Sequence, residues 1–221
     1  MIMSIYILNI IFLWSFCFTQ WYDLNYDGVN RTYYVDYPSG STEPSGLIIN
    51  MHGFGGNASG QTGTQMGSYA HPENMAVAYP QGVNSGIGSP SWNVGTFWDF
   101  NDQDDVGFIS ALIDDVASNY SINLDKVYAC GFSNGGYMAY ELACELSDKI
   151  TAFGSVAGNF MLNDNQQCDS DREIPIIHFH GTNDPTVDYS PPSFDGALTV
   201  DESIDYWSNF NNLDLQDYES L

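Results

Sequence analysis

The stretch Val127-Tyr-Ala-Cys-Gly-Phe-Ser-Asn-Gly-Gly-Tyr137 constrains the fold more tightly than any other. It reads as a short apolar strand, a glycine-framed turn and the start of a helix. Ser133 stands at the tip, with Gly131 before it and Gly135 after it, the G-x-S-x-G spacing of a nucleophile elbow. A strand that reverses sharply into a helix presses backbone against backbone, and a Cβ at either flanking position clashes. The turn lifts the serine hydroxyl above the strand end, at a helix N-terminus where developing negative charge is favoured. A plain serine N-cap is the alternative for the same letters. The apolar strand before it and the amphipathic helix after it favour the elbow.

The flanking sequence supplies the sheet such an elbow needs. Strand-like runs cover residues 30–37, 47–51, 75–79, 152–157 and 174–180. Between them lie helical stripes: Phe108, Ile109, Leu112, Ile113 and Val116 behind a cap at Asp104 or Asp105, then Met138, Leu142 and Leu146. A last helix is expected over 198–210. Strands that are apolar nearly throughout, alternating with helices, predict a mostly parallel sheet with helices on both faces. No internal repeat or second domain is visible. The segment 81–104 is long, and its aromatic residues, Trp92 and Trp98 among them, are candidates either for substrate contact or for packing under the loop.

Residues 5–18 are apolar and free of Asp, Glu, Lys and Arg. They read as a signal peptide over 1–19, which leaves 20–221 as one catalytic domain of a secreted or periplasmic protein. An uncleaved N-terminal anchor is the competing reading. With 28 acidic residues against four Lys and Arg, the net charge of -24 argues against nucleic acid or an anionic membrane as partner. The charge fits a highly soluble protein; a calcium or other cation site is the alternative, although no run has the order of an EF-hand loop. Of the cysteines after the signal, Cys130 falls in the buried elbow strand. Cys144 and Cys168 are the better disulfide candidates, although a partner outside this sequence would fit the odd count equally.

A serine nucleophile needs a base, and the base needs an acid to orient it. Asp184, just past the strand at 174–180, suits the acid, with Asp188 as fallback; a turn aspartate before Pro185 is the plain alternative. The backbone N–H of Asn134 is one expected oxyanion donor, and that of Phe54, in the loop after His52, is the other. The base is harder to find. His52, His71, His178 and His180 all precede Asp184. His52 reads as bonded to nearby backbone, and His180 as a brace for the acid loop.

The ordered motifs HGFGG, AYPQG, SWN, DDVGFISALIDD, VYACGFSNGGYMAYELAC, VAGN and HFHGTNDPTV together resemble secreted esterases related to polyhydroxybutyrate depolymerases and feruloyl or acetylxylan esterases. The resemblance runs from about residue 30 to at least 207. It implies an α/β-hydrolase fold, no metal cofactor, and hydrolysis of polymeric or aryl carboxylic esters through an acyl-serine at Ser133, with Asp184 as the acid. It also implies no stable membrane association after signal cleavage. Cys144 and Cys168 match positions that often hold cysteines in that family. There, a further strand and a loop bearing the catalytic histidine follow the helix that here contains Trp207. This sequence reaches Leu221 before any such histidine, so the expectation is a fragment with its last strand and helix missing. A prolyl-oligopeptidase-like peptidase and a base-free polymer-binding homologue are the alternatives.

Overall fold

The computed structural model describes residues 19–84, 86–95, 100–162, 168, 170 and 172–213. The expected signal therefore lies almost wholly outside the described residues. Thr19, at its end, already pairs with Asp36.

Among the described residues, a seven-stranded sheet runs in the order β1-β2-β4-β3-β7-β8-β9. Its strands are β1 Thr19–Tyr26, β2 Val29–Asp36, β3 Ser45–Met51, β4 Met75–Pro80, β7 Ile122–Phe132, β8 Ala152–Val156 and β9 Ile176–Phe179. The β1–β2 and β2–β4 pairs are antiparallel; every pair from β4 through β3, β7 and β8 to β9 is parallel. A small hairpin, β5 Val83–Asn84 with β6 Pro90–Ser91, stands apart from the sheet. The sequence reading misses β1. Its signal is Asp27-Gly28, where both residues hold positive φ (49° and 78°), as a two-residue hairpin turn requires.

Helices α1 Ala58–Gln61 and α2 Met66–Ala70 lie between β3 and β4. Ala58 and Ala70 pack with Val77, Tyr79, Ile48 and Tyr34 on one face of the sheet. Helices α3 Asp105–Asn119, α4 Asn134–Glu145 and α5 Val200–Phe210 cover the other face. Asp104 caps α3 by accepting the Gly107 N–H, and Thr199 and Glu202 form a capping box on α5. Leu47, Ile49, Val127 and Ala129 alternate inward under α3 and α4, and Trp207 of α5 is buried with its ring 4.8 Å from that of Phe153. Cys144 at the end of α4 is bonded to Cys168. Cys130 remains a free thiol.

The face carrying α1 and α2 is less well covered toward β9. Phe132, Val156 and Phe179 stand in register on β7, β8 and β9, and Phe132 and Phe179 are each about half exposed (52% and 53%). Among the described residues, no helix is long and apolar enough to cross a membrane, and no group of acidic, His or Cys side chains could hold a metal ion.

Candidate active site

Ser133, Asp184 and the loop of Phe54 follow the C-terminal ends of β7, β9 and β3, where open α/β sheets bind ligands. β7 ends at Phe132 and α4 begins at Asn134. Ser133 joins them at φ 52° and ψ -121°, a conformation that costs a non-glycine residue about 1–3 kcal/mol. Its neighbours hold it there. The Ser133 N–H donates to Val156 O (2.8 Å), and the N–H groups of Gly136 and Tyr137 donate to Ser133 O (2.7 and 3.0 Å).

The glycine arithmetic of the elbow is visible in space. A Cβ on Gly131 would collide with the Gly135 backbone. A Cβ on Gly135 would sit 2.5 Å from Met51 O and 2.6 Å from His52 O, at the end of β3. One on Gly158, after β8, would sit 2.7 Å from Ser133 O. The elbow is therefore clamped between the ends of β3 and β8.

The loop after β3 touches the serine directly: a Cβ on Gly53 would lie 3.3 Å from the Ser133 Cβ. His52 anchors this loop. Its Nδ1–H donates to Gly53 O (2.8 Å) and its Nε2 accepts from the Gly82 N–H (2.9 Å). Burial holds its pKa below the usual histidine range, consistent with a neutral ring. Phe54 follows, half exposed, its ring edge-on to Phe100 at 6.3 Å.

Asp184 lies in the turn after β9. Its Oδ1 accepts from the N–H groups of Val187 (3.0 Å) and Thr186 (2.9 Å), and these bonds hold its carboxyl below the usual range. It is close enough to the first turn of α4 for its charge to add to the burial that pushes the Tyr137 hydroxyl up. His180 braces the same turn, donating from Nε2 to Val187 O (2.8 Å).

None of the four histidines is hydrogen-bonded to Ser133. His52 and His180 are bonded to backbone as described. His71 lies against Asp36 on the far side of the sheet, and His178 Nδ1 is 2.8 Å from the Tyr140 hydroxyl. His178 Nε2 is buried without a partner among the described residues. Burial above all, and then the neighbouring His180, hold its pKa down at about 4. An unfolded histidine protonates near 6.5, so the folded form resists a proton that the unfolded form accepts. This stability is fully present above pH 6.5 and is lost as pH falls toward 4, by about 3 kcal/mol in total. The expected result is a smaller loss in His178→Gln than in the unmodified chain when urea midpoints at pH 7 and pH 4 are compared. Equal losses would show that His178 is not the group responsible.

Trp92 needs a correction. It is fully buried rather than presented to substrate, and its ring N–H is donated to His52 O (2.8 Å). Trp98, the companion candidate, lies outside the described residues. The side chain of Asn134 escaped the sequence reading. It is buried, and both its amide atoms bond the Trp92 backbone.

The sheet and the serine-tipped elbow define an α/β-hydrolase. The model of the phospholipase/carboxylesterase family matches residues 36–218, and the chain belongs to that family. It is 31% identical over 163 residues to a bifunctional acetylxylan esterase/xylanase, XynS20E, of Neocallimastix patriciarum, an alignment covering 73% of this chain and 22% of the relative. It is 34% identical over 165 residues to feruloyl esterase B of Piromyces equi, covering 72% and 30%. The chain thus spans less than a third of the length of either relative. Among solved structures, a thermostable esterase superposes over 87% of this chain and 52% of its own, with a TM-score of 0.66 at 19% identity, a likeness of fold.

Proposed function

We propose that the chain is the hydrolase domain of an exported serine esterase that cleaves carboxylic esters, with feruloyl or acetyl groups on plant-wall polysaccharide as the favoured substrates and polyhydroxyalkanoate as the second class. The observation that carries this reading is Ser133, held at positive φ on a glycine-clamped elbow against the loop that follows His52. The relatives' esterase names supply the substrate class.

In this reading the Ser133 hydroxyl attacks the ester carbonyl as its proton passes to a base. The carbonyl oxygen becomes an oxyanion facing the N–H groups of Phe54 and Asn134, each contributing about 3–4 kcal/mol. The alcohol departs with the proton. Water then attacks the acyl-serine, releasing the acid and restoring the hydroxyl. Asp184 orients the base and stabilises its charge. All four histidines of the chain are bonded elsewhere, so none of them is assigned as the base.

The 221-residue chain alone is therefore expected to be nearly inactive. Imidazole in solution should replace the missing base and let p-nitrophenyl acetate acetylate Ser133, read by peptide mass spectrometry. A proline p-nitroanilide should leave no comparable acyl-enzyme and release no amine. Amide cleavage as fast as ester cleavage would favour a peptidase. Full ester turnover without imidazole would show that one of the four histidines serves as the base. No acetyl-Ser133 in imidazole would leave the reading of a polymer-binding homologue.

A further inference from the structure

Trp92 has no part in the reaction just described, yet its polar atoms all point at the parts that do. Its backbone N–H donates to Asn134 Oδ1 (2.7 Å), and its carbonyl accepts from Asn134 Nδ2 (3.1 Å). Its indole N–H donates to His52 O (2.8 Å). The indole also lies against the His52 ring, centroids 5.0 Å apart. Just before it, Pro90 O accepts the Gly55 N–H (2.8 Å), a second tie from this segment to the loop after β3.

The segment is itself held from behind. Asp105 at the start of α3 accepts from the Asn93 N–H (2.8 Å) and from Asn101 Nδ2 (3.2 Å), and Asn101 Nδ2 also reaches Ser91 O (3.1 Å). Ser91, Trp92, Asn101, Asp105 and Asn134 are all buried. Hydrogen bonds of this kind, closed to water, have no solvent to exchange with and fix geometry rather than merely add stability.

We infer that Trp92 is a positioning residue: by bonding Asn134 on one side and His52 on the other, it sets the spacing between the two backbone donors that face the oxyanion. Asn134 belongs to the elbow and His52 to the loop of Phe54, and Trp92 bonds both. The inference rests on the proposed reading of Ser133 and its donors. Its chemistry is geometric. An oxyanion donor works only within hydrogen-bond reach of the oxygen as charge develops, and a displacement of about 1 Å costs roughly a hundredfold in rate.

The test uses the 221-residue chain in imidazole with p-nitrophenyl acetate and its thionoester, in which sulfur replaces the carbonyl oxygen. Sulfur is larger and a weaker acceptor, so the oxo-to-thiono rate ratio reports the fit of the donors. Trp92→Phe keeps an aromatic ring and both backbone bonds, deletes the bond to His52 O and removes part of the buried indole. It should acetylate Ser133 about 10- to 100-fold more slowly, with a reduced oxo-to-thiono ratio and an unchanged half-saturating ester concentration. Asn134→Asp, which keeps the acceptor for the Trp92 N–H and loses the donor to its carbonyl, should shift the ratio the same way. Unchanged rate and ratio in folded Trp92→Phe, or in Asn134→Asp should the first variant not fold, would overturn the inference while leaving the serine assignment standing. Absence of acetyl-Ser133 in the unmodified chain would overturn both.

Discussion

Ser133→Ala is expected to abolish acyl transfer to the chain in imidazole without loosening the fold. The hydroxyl oxygen is the only heavy atom removed, and α4 receives no cap bond from it. The strained backbone at φ 52° is imposed by neighbours that the substitution leaves in place: the Val156 carbonyl before the turn and the Gly136 and Tyr137 N–H groups after it. Alanine tolerates that conformation about as poorly as serine, so the melting temperature should stay within the range of a neutral surface change. In intact serine hydrolases, loss of the nucleophile alone costs about 10⁶ in kcat. Gly135→Ala offers the contrast. Its Cβ would meet Met51 O and His52 O at 2.5 and 2.6 Å, so it should lose both activity and stability. Acetylation that persists in Ser133→Ala would identify a different nucleophile.

The second large effect is thermodynamic. Arg31 is one of four cations in the chain and is buried, with Nη2 2.6 Å from Asp105 Oδ1. Its guanidinium lies 3.9 Å above the Phe108 ring. Arg31→Met would leave the Asp105 carboxylate buried without its countercharge. Breaking a buried pair from one side costs about 3–5 kcal/mol, which for a domain of this size lowers Tm by about 10 °C. Urea unfolding should show a lower midpoint at an unchanged slope. Adding Asp105→Leu should recover only part of the loss, because Asp105 also holds the Asn93 N–H and Asn101. A midpoint close to the unmodified chain's would mean that the pair is dispensable.

The elbow was legible in the sequence because its constraint is local: Gly131, Ser133 and Gly135 sit within five positions, and their crowding is a property of any such turn. A helix cap at Asp104 or Asp105 was legible for the same reason, and the structure places it at Asp104. Trp92 was left open between substrate contact and packing because its environment is not local. In a loop rich in glycine, serine and aromatics, a tryptophan has the look of a surface. Its burial is decided by Asn134, far away in sequence, and by the His52 carbonyl. β1 was missed because a strand with polar residues facing water on one side lacks the continuous apolar run of its neighbours. Only the Asp27-Gly28 turn gave it away. His52 and His180 were legible as bonded to nearby backbone and as a brace for the acid turn because Gly53 and Val187 are near them in sequence, whereas His71 and His178 meet Asp36 and Tyr140, 35 and 38 residues away.

The parallel pairing of β3 with β7 carries a consequence for how the molecule comes to have a site at all. Leu47 meets Val127, and Met51 meets Gly131, only after all the chain between them has been threaded through β4, the hairpin and α3. Closing a loop of that length is an entropic debt settled before any of the pairing rewards it. The loop of His52, the indole of Trp92 and the serine at the elbow are therefore brought together by contacts distant in sequence. Their alignment exists only where the β3–β7 pairing exists, and an unfolded molecule holds every residue of the site and none of its arrangement.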